Sequence, residues 1–147
     1  MFRFCISFRY EKYWIPFILS NSPHYETDVT FLPPLDVHWV WHVHMLAPMN
    51  YHQDLSESPL RRIINHQPIN PQSKEAIGKR KQTAIKWIET FPEIPFELSL
   101  TDENSFDDEF SSKLTYNIVA ASERQKVFFY QVKCANANEF MSIYVYF

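Results

Sequence analysis

Asp36-Val37-His38-Trp39-Val40-Trp41-His42-Val43-His44-Met45 carries three of the chain's six histidines within seven residues. Its secondary structure decides the fold. As a strand, a two-residue period puts His38, Val40, His42 and His44 on one side, an aligned imidazole face suited to zinc. As a helix, His38 and His42 share a side at the i, i+4 spacing, while His44 lies well around the axis from His42. Pro33 and Pro34 before the stretch, Asp36 as a candidate N-cap and Pro48 as a stop favour the helix. The β-branched and aromatic residues favour the strand. Pattern alone leaves both readings open.

Upstream, Phe4 to Leu19 places Tyr10, Tyr13, Trp14, Phe17 and Ile18 at helical spacing. Pro16 interrupts it, since a proline inside a helix removes a hydrogen bond and crowds the preceding turn, so a kink or a later start is expected. Residues 20–30 are polar and turn-like. Downstream, Ser56 to Pro71 has three prolines around Leu60, Ile63, Ile64 and His66, which suits a helix of one or two turns and then a loop. Ser73 is a good N-cap for a helix over Lys74 to Thr90, with Ile77, Ala84, Ile85 and Ile88 facing inward and Phe91-Pro92 as the stop. The acidic run Asp102, Glu103, Asp107, Asp108 and Glu109 reads as a solvated loop. A last helix is expected from about Ser112 to Val132, burying Leu114, Ile118, Ala121, Val127 and Phe128. Ile143 to Phe147 looks strand-like. The sum is an all-α domain, a small irregular bundle of about four helices with proline-rich loops.

Composition bounds what such a domain can do. At 147 residues, 46% hydrophobic and 21% charged, the chain has the makings of one globular domain. Ten prolines and the single Gly78 exclude a glycine-rich phosphate loop. A net charge of −3 gives no global field for DNA or an anionic membrane. Cys5 and Cys134 read as reduced thiols, and no secretory or membrane-spanning segment is evident. A cytoplasmic or nuclear location is the corresponding expectation.

Several stretches together are similar to one known family. Pro34 to Tyr51, with its Asp36, then Trp41-His42-Val43-His44, Leu46-Ala47-Pro48 and Tyr51, resembles the glycine-rich domain-containing protein-like family. So do Arg9 to Pro16, Ile64 to Pro68, and Ile118 to Val132 with its Phe128-Phe129-Tyr130-Gln131-Val132. The resemblance spans about residues 9–132, which divides the chain into a helical domain at 1–132 and a divergent tail at 133–147. It implies a helical domain without a settled biochemical activity. The glycine-rich region that names the family is absent, and the chain reads as shortened at both ends.

The functional candidates follow. Asp36, Trp39, Trp41, His42, His44, Pro48 and Tyr51 form the structural motif. A zinc-like divalent metal would take His42, His44 and His66, with Asp36 as carboxylate, because imidazole and carboxylate are its preferred ligands. Core hydrogen bonding accounts for the same residues without a metal. A metal-dependent reaction would further need a general base such as Asp36 or Asp54. No serine or cysteine arrangement supports covalent catalysis, and no catalytic residue is assigned. Trp14, Trp39, Trp41 and Trp87 with Lys79-Arg80-Lys81 offer an RNA-associated reading, against which such residues are more often core and solvated helix surface. The primary expectation is a binding or interaction module with a protein partner or a second copy of itself. The metal protein or metal-dependent enzyme comes second and RNA association third.

Overall fold

The protein is described here from a computed structural model, in which residues 7–21, 31–58, 61–64, 69–70, 72–98 and 110–135 are placed. Among the described residues there are helices and loops and no strands. A π-helical turn, Tyr10–Trp14, leads into α1 (Ile15–Asn21). There follow α2 (Leu35–Met45), α3 (Pro48–Glu57), α4 (Lys74–Thr90) and α5 (Ile118–Ala135). The all-α expectation therefore holds. Ile143 to Phe147 and the acidic run at 102–109 lie outside the described residues.

Pro16 stays inside the helical run. Having no N–H, it cannot bond back to the preceding turn, and its ring would press on the carbonyl four residues earlier. The turn ahead of it is widened, with the Ile15 N–H bonding to the Tyr10 carbonyl five residues back.

The decisive segment is a helix. Pro34, with φ −61° and ψ 156°, occupies the N-cap position, and the His38 N–H bonds to its carbonyl at 2.9 Å. Asp36 thus sits in the first turn rather than at the cap, where its charge still complements the helix N-terminus. α2 is apolar on nearly every side, and a helix of that kind belongs in a core. It packs against α5, α3 and the π-helical turn. Val37, Val40, Trp41, His42, Val43 and His44 are all buried. His42 and His44 therefore leave the axis on different sides and both enter the interior.

Pro48 does two things. It ends α2 and, pre-set to helical φ, starts α3 at N1, so the helix lies at 48–57, ahead of the short one expected within 56–71. α3 buries Tyr51, Asp54 and Leu55, a three- and four-residue ladder.

α4 begins where expected, the Ser73 hydroxyl accepting from the Ala76 N–H at 3.0 Å, and ends at Phe91. Its inward face differs from expectation. Ala76, Thr83 and Trp87 are buried, whereas Ile77, Ile85 and Ile88 are exposed and Ala84 is half-buried. The cause is the indole of Trp87. It lies among Trp14, Phe17, Tyr13, Phe91 and Phe96 and donates to the Ile94 carbonyl at 2.9 Å, combining a large buried area with a satisfied N–H. Thr83 joins it by accepting the Leu32 N–H at 3.0 Å.

α5 starts at Ile118, not near Ser112. The Asn117 side chain accepts the Ala120 N–H at 3.0 Å, as a capping group does, and residues 110–117 run as an irregular strap before it. Ile118 and Ala121 are buried as expected and Leu114 is half-buried. Val127 and Phe128, expected to be buried, are exposed at 57% and 56%.

Candidate functional site

The polar groups of the interior converge on α2. His44 is fully buried, and both ring nitrogens are engaged. Nδ1 lies 3.1 Å from the Tyr10 hydroxyl on the π-helical turn, and Nε2 lies 3.1 Å from Asp54 Oδ2 on α3. An ionised carboxylate can only accept, so Nε2 carries the proton and donates to Asp54, and Nδ1 accepts from the Tyr10 O–H. Asp54 Oδ1 in turn accepts the Thr115 N–H at 2.9 Å, tying down the strap that leads into α5. The result is a four-member chain of hydrogen bonds linking the π-helical turn, α2, α3 and the strap ahead of α5.

Burial governs the electrostatics. The Tyr10 hydroxyl is pushed well above its ordinary pKa, first by desolvation and then by its neighbours Tyr51, Glu11 and Asp54. His44 is lowered by burial, against the opposing pull of Asp54, so its neutral form is the one the fold prefers. A second chain runs beside the first. The Trp41 indole N–H donates to the Tyr51 hydroxyl at 2.9 Å, and that hydroxyl donates to the Ile64 carbonyl at 2.8 Å. Burial pushes the Tyr51 hydroxyl up to about 12. The Tyr51 ring also meets His44 edge-on at 5.0 Å.

Arg9 is the third buried polar centre. Its Nη2 donates to the carbonyls of Pro95 and Phe96 at 2.8 and 2.9 Å, and its guanidinium lies 5.6 Å from the Trp87 ring centre. Nη1 approaches Asp36 Oδ2 at 3.1 Å, close enough for an ion pair though not aligned as a hydrogen bond. Burial raises the Asp36 pKa, with Arg9 and the first-turn amides pulling it back. Asp36 thus joins the start of α2 to the turn ahead of α1.

The expected metal ligands are distributed as follows. His44 faces Tyr10 and Asp54, Asp36 faces Arg9, and His42 lies beside Trp39, with ring centres 6.3 Å apart. His66 lies outside the described residues. Among the described residues no three of His, Cys, Asp and Glu are grouped as an ion would need. Of the two general-base candidates, Asp54 is the one that reaches a histidine. Sequence reading passed over Tyr10, Arg9 and the pairing role of Asp54. Their partners lie 34 residues away for Tyr10, 27 for Arg9 and 10 for Asp54, and no linear spacing connects them. The available signal was the i, i+3, i+4 ladder Tyr51, Asp54, Leu55.

The tryptophans and lysines also have places. Trp14, Trp41 and Trp87 are buried and Trp39 half-buried. Lys79 pairs with Glu75 and Arg80 with Glu97 on the chain itself. No helix among the described residues is long and apolar enough to cross a membrane.

Comparison with known proteins adds the relationship. Glycine-rich domain-containing protein 1 of Arabidopsis thaliana is 32% identical over 137 residues, covering 89% of this chain and 16% of that protein. Glycine-rich domain-containing protein 2 of the same plant is 30% identical over 135 residues, covering 89% of this chain and 17% of its own length. The chain thus spans about one sixth of the length of these curated relatives. No solved structure gives a significant match. The family profile described as glycine-rich domain-containing protein-like matches residues 56–147. That span takes in α4, α5 and the stretch 133–147, with the histidine segment lying ahead of it. From these matches, the chain belongs to the glycine-rich domain-containing protein-like family.

Proposed function

We propose that this chain is a helical interaction module, a rigid support built on α2 that presents apolar helix surface to a protein partner. One observation carries the reading: large apolar side chains stand exposed on two helices, Ile77, Ile85 and Ile88 on α4 and Val127, Phe128 and Tyr130 on α5. Scattered apolar residues are normal on a surface, but groups of them along a helix mark contact surfaces. The interior supports the same reading. Tyr10, His44 and Asp54 satisfy one another in a closed core, an arrangement that fixes helices in place rather than one that admits a substrate.

The test is photo-cross-linking from single positions in the whole chain. Adducts of discrete mass from a cross-linker at residue 85 or 128, with none from one at the exposed polar Ser56, are the expected outcome. Equal labelling from all three positions would remove the reading.

A further inference from the structure

The outward side of α4 carries more than isoleucines. Lys74, Ile77, Lys81, Ile85 and Ile88 follow one another at intervals of three, four, four and three residues, so they form a continuous ridge along one side of the helix. The isoleucines on it are 48%, 60% and 55% exposed. The remaining cations of α4 are neutralised within the chain: Lys79 by Glu75, Arg80 by Glu97 and Lys86 by Glu89. Lys74 and Lys81 have no acidic partner among the described residues, and they are the two that lie on the apolar ridge. Gly78, between them, has open space where a side chain would be, so a neighbour can approach the backbone there.

Resting on the interaction-module reading, we infer that this ridge docks an amphipathic helix of a protein partner, whose apolar stripe covers Ile77, Ile85 and Ile88 and whose acidic residues, seven apart, meet Lys74 and Lys81. Helix-in-groove recognition reads anchors at this spacing, and paired charges on its edge fix register and direction. A second copy of the chain fits poorly. Antiparallel α4 pairs centred on the ridge bring Lys81 towards Lys81 of the other copy, and parallel pairs oppose both lysines with their equivalents, leaving like charges facing one another. RNA would engage the lysines and leave the isoleucines uncovered.

The experiment uses the whole chain and a synthetic amphipathic helix of about five turns, with leucines at three- and four-residue spacing and glutamates seven residues apart. A twin peptide carries lysine in place of each glutamate. By fluorescence anisotropy, the acidic peptide should bind about tenfold or more tighter than its twin. Lys81→Glu should reverse that preference, and Ile85→Ser should weaken both, with the melting temperature of each variant unchanged because both side chains lie outside the core. Equal binding of the twins, or no binding of either, overturns the proposal. So does a dimer of the chain that Ile85→Ser dissolves, or capture of anionic lipid vesicles through the same residues. Cross-linking from residue 128 with silence from residue 85 would sink this proposal and leave the interaction-module reading intact.

Discussion

α2 and α4 make opposite use of their apolar residues. α2 has no polar side to offer solvent, so the rest of the fold wraps it, and its histidine and aspartate are matched one by one to Tyr10, Asp54 and Arg9. α4 has a good apolar stripe and turns it outward, burying a small set centred on Trp87 instead. Periodicity thus reports which residues of a helix are alike. It does not report which side will be covered, because that depends on the size and partners of a few residues. One indole among five aromatic rings outweighs three isoleucines that stay exposed.

The comparison can be broken most forcefully at Trp87. Trp87→Ala should cost about 3–5 kcal/mol, measured by urea denaturation, as large-to-small changes in a packed core do. A much smaller loss would mean that the isoleucine stripe rotates in to replace it. Next in size is the α2 interior. Asp54→Ala leaves the buried His44 N–H without an acceptor and releases the exposed Thr115 N–H, and should cost about 2–3 kcal/mol. The same chain makes stability fall with acid. Because His44 is held below its ordinary pKa, the unfolded chain binds a proton more readily. Stability is complete above the unfolded value of about 6.5 and declines as pH falls through and below it, until His44 protonates in the fold. His44→Phe should flatten that slope in melts between pH 7 and 5.5. Burial raises Asp36 and Glu11 above their ordinary values, so they act the other way, favouring the fold as they protonate at lower pH. Ser73→Ala, which removes the cap of α4, should cost about 1 kcal/mol by thermal melt. Smallest of all, Ile88→Ser should change stability by no more than about 0.5 kcal/mol, the outcome that separates an outward stripe from an inward one.

The fold was legible where local chemistry marks the ends of an element. Paired prolines at 33–34 and a proline at 48 bracket α2, and Ser73 starts α4. It was illegible where one residue has two uses. Pro48 stops one helix and begins the next, which hid α3 and so hid Asp54 as the partner of His44. Val127 and Phe128 look like core by spacing, yet both are more than half exposed. Within the candidate site, the aspartate and histidines of the motif were visible in the sequence. Tyr10 and Arg9 were not, because their roles depend on helices meeting in space.

The widened turn at Tyr10–Trp14 has a reach beyond its own hydrogen bonds. Pro16 relieves its crowding by shifting the winding of the residues before it, so where Arg9 and Tyr10 point is set by an imino acid seven and six residues further along the chain. A Pro16→Ala chain, free to rewind, would swing the tyrosine off the imidazole and the guanidinium off the carboxylate in a single movement, with all four of those side chains still present.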